Sequence, residues 1–334
     1  MKDLLDIDRL LNDTNIEEKM CDVVVNRKRR LVALYDSAVG VYRHVSGVSD
    51  QDMHDYFLSG EIAKAKQEGF PWDETSNRGE HPRTLYFKFI DELRKHIVSE
   101  VCKDLLSYVK QIDRVIFNER DLQLYLSDKL KSSGHYDDIH LEYHLPKGVN
   151  AKFDEGYADW ETERPSIDIV LEIGSRFIAI ELKNKLKSFS TNLSRFGEST
   201  NVQILKNQAA QNLGRYQFWK DVKRIELLKQ SYKNVLGGVA LFLTNDGNYL
   251  NTTSGADYED FSMEEGCKKG GENSKPLDWG SPIKKDKNGK EFIDKSGNPI
   301  RKSPAIVLDE TYSPSWAEVF AIDEEKFHRC HVIV

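Results

Sequence analysis

The sequence predicts an α/β protein: an αβββαβ core, preceded by a helical N-terminal region and followed by a C-terminal extension. Three observations carry that expectation. Residues 167–183, "IDIVLEIGSRFIAIELK", alternate apolar and polar positions in two runs separated by Gly174-Ser175, the pattern of a strand hairpin on a two-residue turn. Helical periodicity flanks the hairpin on both sides, at 118–134 and 202–230. A further apolar run, "NVLGGVALFLTND", then supplies a fourth strand. The domain bounds that follow are 1–110, 111–250 and 251–334.

Before the core, "MKDLLDIDRLLNDTNIEEKM" reads as an acidic amphipathic helix and lacks the pattern of a signal peptide. "RKRRLVALYDSAVGVYRHV" has apolar spacing near 3.6, and its basic run Arg27–Arg30 reads as a solvated helix face. Residues 51–83 are polar, with a short helix expected at 61–68. "TLYFKFIDELRKHIVSEVCKDLLSYVKQI" is a longer helical run.

In the core, Asn118 is placed to cap a helix whose apolar face is Leu122, Leu126 and Leu130, and Gly134 to end it. "IHLEYHL" (139–145) alternates as a strand. "PKGVNAKFDEGYADWETERP" reads as a connecting loop, and "SFSTNLSRFGESTN" as a polar loop. The helix from Val202 carries an expected stripe of Leu205, Ala209, Leu213 and Tyr216. Past residue 250, "KKDKNGKEFIDKSGNPIRK" holds two turn signals and reads as a charged surface hairpin. His328 and His331 in "HRCHVIV" read as a strand terminus in preference to a zinc site. There is no phosphate-loop motif and no dinucleotide fingerprint; Gly237-Gly238 lacks the spacing.

Composition narrows the class. With 39% hydrophobic and 31% charged residues, the chain reads as soluble and cytosolic, with no apolar run of membrane-spanning length. Its four cysteines have no C-x-x-C spacing and read as free thiols. The net charge of −7 argues against a generally basic nucleic-acid binder, but its distribution is uneven. Residues 172–233 hold 12 Lys and Arg against 5 Asp and Glu, a local +7 that leaves −14 elsewhere.

The hairpin carries the chemistry. If Ile173 faces Arg176 across the turn, Asp168 lies opposite Glu181, and Lys183 shares their face. Opposed carboxylates in a strand pair cost up to about 1 kcal/mol. A bound cation removes that cost, and Mg²⁺ favours one or two carboxylates plus water and phosphate oxygens. The spacing therefore reads as a hard-metal site with a lysine beside it. The alternative is a solvated face on which Lys183 bridges the two acids.

The element order, with Asp168 heading the second strand and Glu181-x-Lys183 ending the third, resembles the PD-(D/E)XK nuclease superfamily, the restriction-endonuclease-like fold. The resemblance covers about 125 residues and rests on "SIDIVL…IAIELK". Ile167 stands where the family's customary proline would be, with Pro165 two residues earlier. The resemblance implies that Asp168 and Glu181 hold Mg²⁺ (or Mn²⁺), that Lys183 orients or activates the attacking water, and that Glu119 completes the metal shell. It also makes Gln208, Gln211 and Arg215, on the following helix, candidates to touch site or substrate. Lys185, Lys187, Lys206 and Arg215 are then the candidate phosphate contacts, which position without specifying. The expected activity is metal-dependent phosphodiester hydrolysis in a restriction, defence or repair role. The expected partner is DNA, with RNA also open and a second copy or a defence-system protein as further partners. The alternatives are a catalytically silent nuclease-fold subunit for binding or assembly, and a structural helical protein whose hairpin acids are incidental.

Overall fold

The structure is a computed structural model that describes residues 21–25, 31–36, 41–44, 82–145, 148–158, 165–173, 176–204, 210–232, 234–285 and 289–334. The helices expected within 1–20 and 61–68, the run Arg27–Arg30 and the Gly174-Ser175 turn lie outside the described residues. The chain divides into two compact units, one of residues 1–97 with 173–176 and the other of 98–172 with 177–334.

In the first unit, β1 (Cys21–Val25), β2 (Leu31–Asp36) and β3 (Val41–His44) form an antiparallel sheet in that order, with Val23 opposite Leu34 and Tyr35 opposite Tyr42. This corrects the helix expected over 27–45, and with it the all-helical character of the N-terminal region. Apolar runs of four to six residues satisfy either period, and the stiff Val23-Val24-Val25 triplet favours extended backbone. The long helix α1 (Pro82–Lys110) forms where expected. From Val98 onward it buries Val98, Val101, Cys102, Leu105 and Val109, one stripe of a 3.6-residue period.

The second unit is built on a six-stranded mixed sheet. In chain order its elements are α2 (Glu119–Ser133), β4 (Asp138–His144), α3 (Ala151–Tyr157), β5 (Ser166–Ile173), β6 (Arg176–Lys185), the hairpin β7 (Phe189–Arg195) and β8 (Glu198–Ile204), α4 (Gln211–Ser231), β9 (Val235–Thr244), β10 (Ser315–Ile322) and β11 (Glu325–Ile333). The sheet order is β10-β11-β9-β6-β5-β4. Only the β6–β9 contact is parallel among the registers described, with Glu181 beside Ala240 and Lys183 beside Phe242.

Helix α2 starts and stops where its sequence says. The Asn118 side chain accepts from the Asp121 amide at 2.9 Å, and Gly134 closes the helix at φ 67°. Its Leu122, Leu126 and Leu130 are wholly buried. Three loop and boundary expectations are corrected. The segment after β4 holds the short helix α3, capped by Asn150, which accepts from the Phe153 amide. The polar loop is the β7–β8 hairpin, turned by Phe196 (φ 52°) and Gly197 (φ 87°). Two positive φ values in sequence are the two-residue turn that matches strand twist. Helix α4 begins at Gln211, not Val202, and Leu213 of the expected stripe is exposed.

Helix α4 is buried on most of its circumference. Tyr216, Phe218, Trp219, Val222, Ile225 and Leu228 pack with Val170 and Ala179 of the sheet. Strand side chains alternate, so the face under α4 is also the face of Asp168, Glu181 and Lys183. The paired glycines are explained here. A side chain on Gly238 would run into the Ala179 carbonyl of β6, and Gly238 exchanges two backbone hydrogen bonds with Val334 at 3.0 and 2.9 Å.

The C-terminal extension contributes β10 and β11 as expected. Bridges at Lys285–Glu291, Ile293–Pro299 and Ile283–Arg301 make the charged segment a folded-back ribbon. His328 and His331 belong to β11. Cys102, Cys267 and Cys330 are free thiols. Among the described residues no helix is long and apolar enough to cross a membrane.

Glu226 of α4 fastens the extension to the core. Its fully buried carboxylate accepts from the amides of Asp309 and Glu310 at 2.9 Å, from the Tyr312 hydroxyl at 3.0 Å and from the Lys223 ammonium at 2.7 Å. Removing one member of such a set strands the others. Glu226→Ala is expected to lower unfolding free energy by about 3–5 kcal/mol in urea titration. A loss below about 1 kcal/mol would mean that these bonds do not hold the extension in place.

Candidate functional site

The predicted residues Asp168, Glu181, Lys183 and Glu119 share one neighbourhood. Asp168, near the start of β5, accepts from the Leu182 amide of β6 at 2.6 Å, which brings it beside Glu181 and Lys183. The Lys183 ammonium lies 3.5 Å from Glu119 Oε1, so the first residue of α2 does reach the hairpin across sixty-four positions of sequence. Gln123, one turn into α2, donates to the Asp168 carbonyl at 2.5 Å and to Glu142 at 3.2 Å, tying helix to strand.

Two further members come from α4 and were not anticipated. Asp221, 3% exposed, places Oδ2 3.0 Å from the Lys183 ammonium. Arg224, one turn on, donates to Glu181 Oε1 at 2.6 Å and to the Ser166 carbonyl at 3.3 Å. In the sequence, Asp221 and Arg224 look like the polar side of an amphipathic helix. The available signal was that α4 has no clean polar side: Trp219, Val222 and Ile225 interleave with the charges of "KDVKR". On a helix buried nearly all round, such charges must find partners inside.

The electrostatics follow from burial. Four carboxylates (Glu119, Asp168, Glu181, Asp221) face the two cations Lys183 and Arg224. Lys185, next on the same strand face, also feels Glu119 and Asp221, and burial lowers its pKa. Desolvation is the main force raising Asp168, to a pKa of about 6; Lys183 and the Leu182 amide pull it down, and Asp221 and Glu119 push it up. Glu181, 1% exposed, is held well above the ordinary carboxylate range, first by desolvation, with Arg224 opposing and Asp221 and Asp168 adding to the rise. For Lys183, desolvation works against the charge, but Asp221, Glu119, Glu181 and Asp168 more than offset it. The ammonium therefore holds its proton more tightly than an ordinary lysine.

Asp168 and Glu181 are the two carboxylates here that could take a hard divalent cation; with Glu119 they do not form a trio of donor atoms within 4.8 Å of one another. Glu181 Oε2 is buried and has no hydrogen-bond partner, while its other oxygen is taken by Arg224. A carboxylate oxygen without a donor beside a second carboxylate, in a pocket with more acids than bases, is what Mg²⁺ or Mn²⁺ coordination would satisfy. Asp168 and Glu181 are the residues that would hold the ion, with Glu119 beyond Lys183.

The outer residues divide. Lys187 is exposed, and its amide is held by Asn245 at 2.7 Å. Gln211 opens α4 and donates to Asp246 at 2.6 Å. Lys206 and Gln208 lie outside the described residues. Arg215 is a correction. It is 2% exposed and donates to the carbonyls of Asn248 at 2.8 Å and Asn251 at 3.3 Å, against the Tyr249 ring. Its charge holds the loop after β9, not a phosphate at the surface.

A second group sits at the other end of β4 and β5. Among the described residues, Asp138, His140 and Glu172 are the one trio of potential metal ligands whose donor atoms all lie within 4.8 Å of one another. His140 lies 3.3 Å from Glu172 and 3.9 Å from Asp138, and Asp138 is exposed. His140 is in direct contact with Glu172, and no oxygen there is both buried and without a partner. A cavity of about 560 Å³ between β4–β6 and the end of α4 is lined mainly by apolar side chains such as Leu145, Ile167 and Phe177. None of the six charged residues lines it.

No family model, no curated protein and no solved structure matches this chain.

The raised Asp168 pKa sets a pH test. A carboxyl raised from 3.8 to about 6 favours the folded state while protonated and loses that contribution as pH rises from about 4 through about 6. The shift corresponds to about 3 kcal/mol at neutral pH. In EDTA, Asp168→Asn is therefore expected to be more stable than wild type at pH 7.5 by up to that amount, with the gap closing towards pH 4. A gap that does not change with pH in urea titrations would show that Asp168 is not desolvated in this way.

Proposed function

We propose that the chain is a divalent-metal-dependent nuclease, of the class its motif resembles, hydrolysing phosphodiester bonds in DNA. The observation that carries the reading is Glu181: a wholly buried carboxylate with one oxygen lacking a donor, beside Asp168 and on the same strand face as Lys183. A bound Mg²⁺ or Mn²⁺ would supply charge neutralisation of the phosphate and a more acidic water. In this reading Asp168 and Glu181 hold the ion on the rigid β5–β6 pair, and Glu119 orders water at the rim. Lys183, whose proton is tightly held, acts as a fixed positive charge that stabilises the developing phosphorane oxygens and orients the nucleophilic water, not as a base. Lys185 and Lys187, continuing the same strand and its exit, align the flanking backbone. The mixed sheet supports the reading: with α3 and the β7–β8 hairpin taken as insertions, α2, β4, β5, β6, α4 and β9 follow the αβββαβ order, with β6 and β9 parallel.

The test is cleavage of end-labelled duplex DNA, single-stranded DNA and RNA by the full chain in Mg²⁺, Mn²⁺ and EDTA. Metal-dependent cleavage is expected, falling about 10²–10³-fold in Lys183→Gln, and further in Glu181→Gln, while circular dichroism shows both variants folded. Equal cleavage by wild type and Glu181→Gln would assign the activity to a contaminant. Binding should weaken steeply with salt, and Lys187→Glu should flatten that dependence; an unchanged slope would place the nucleic acid elsewhere.

A second reading, a catalytically silent nuclease-fold subunit, is favoured by one feature: Glu181 and Lys183 are already paired with Arg224 and Asp221. Nucleic-acid binding without cleavage under every metal condition would select it.

A further inference from the structure

Arg224 stands between two carboxylates. Its Nη1 is 2.6 Å from Glu181 Oε1 and 3.6 Å from Asp221 Oδ1, the first a strong charge-assisted hydrogen bond and the second just beyond one. Asp221 is one turn earlier on the same helix, so the second acceptor travels rigidly with the arginine. Glu181 is fixed on β6 and has the one oxygen that Arg224 does not take. A divalent ion on that carboxylate would face a guanidinium on the same group, and two positive centres sharing a carboxylate in a desolvated pocket repel strongly.

We propose that Arg224 is an exchangeable counter-ion: it neutralises Glu181 while no metal is bound, and shifts onto Asp221 when a divalent cation takes Glu181. The inference rests on the metal-site reading above and adds a device to it. Bringing Nη1 as close to Asp221 Oδ1 as it now is to Glu181 shortens that distance by about 1 Å, the difference between the two. It has a second effect. Asp221 also holds the Lys183 ammonium at 3.0 Å, and Lys183 has Glu119 as a second partner at 3.5 Å. An arginine arriving at Oδ1 brings a second cation to the carboxylate whose Oδ2 faces Lys183, and so weakens its hold on that ammonium. Arg224 and Asp221 are thus positioning residues: metal loading would loosen the lysine that the chemistry needs, and an unloaded pocket would hold it more tightly.

The experiment is calorimetric titration of MnCl₂ into the full chain at pH 8, for wild type, Arg224→Gln, Asp221→Asn and the double variant, with urea titration confirming that each is folded. Removing the competing cation is expected to tighten Mn²⁺ binding about tenfold in Arg224→Gln, the equivalent of about 1.4 kcal/mol. Asp221→Asn is expected to weaken it, because the displaced guanidinium loses the negative charge of Asp221. In the Arg224→Gln background the same Asp221→Asn change should have little effect, which a direct metal-ligand role for Asp221 would not give. Mn²⁺ binding to Arg224→Gln but not to wild type would overturn the exchange, because Arg224 would then be a fixed occupant of Glu181 that the ion does not displace. Wild-type binding with equal or weaker binding in Arg224→Gln would overturn the exchange and leave the metal site standing. No binding in either would overturn both. Should Arg224→Gln not fold, Asp221→Asn decides alone: unchanged Mn²⁺ affinity refutes the proposal.

Discussion

The parallel pairing of β6 with β9 is the constraint from which the rest follows. Parallel neighbours cannot be joined by a tight turn; the chain must travel back along the sheet before it can re-enter it. Between Lys185 and Val235 it does so through the β7–β8 hairpin and the length of α4. The returning helix has to lie on a face of the sheet, and it lies on the one that carries Asp168, Glu181 and Lys183. These side chains, which an isolated hairpin would leave in water, are thereby put under a roof. Every unusual property of the site, from the raised carboxyl pKa values to the ion pairs with α4, is a result of that covering.

Two buried glutamates show what the covering does. Glu226 and Glu181 are of the same residue type, each in contact with a cation of α4. Glu226 has a donor for each oxygen, two backbone amides among them, and serves as a fastener. Glu181 has one donor on one oxygen. In a medium of low dielectric a satisfied network is rigid, whereas an incompletely satisfied one retains a strong affinity for whatever positive group can enter. The difference between a fastened carboxylate and one with an oxygen to spare is here a matter of donor count, not of residue type.

Much of the core was legible in the sequence because local signals agreed with the fold. The Asn118 cap, the leucine stripe of α2, Gly134, and the alternations of β4, β5, β6 and β9 each give their element in isolation. Glu119 entered as the acid that the family resemblance implies on the first helix, and it lies 3.5 Å from Lys183. The failures have two physical sources. Short runs such as those at 31–36 and 41–44 fit a strand or a helix, and nothing local decides. Polar strands such as β7 and β8 carry little hydrophobic contrast, and Phe196, the first residue of their turn, gives no turn signal to reinforce that of Gly197. Asp221, Arg224 and the burial of Arg215 were illegible for a third reason. Their partners are brought in by tertiary packing from β6, from the loop after β9, and from the covering geometry itself, none of which appears in the periodicity of α4.

Strand β9 receives its second neighbour late. Its inner edge meets β6 after the crossover, but its outer edge pairs with β11, roughly eighty residues further along the chain. During synthesis those residues must all leave the ribosome before that edge is covered. In the interval an almost wholly apolar strand, buried in the finished protein from Leu236 to Thr244, presents an open row of amides and carbonyls. The newborn chain thus passes through a stage in which its central strand is a ready template for another copy, and the extension that completes the sheet is also what ends that exposure.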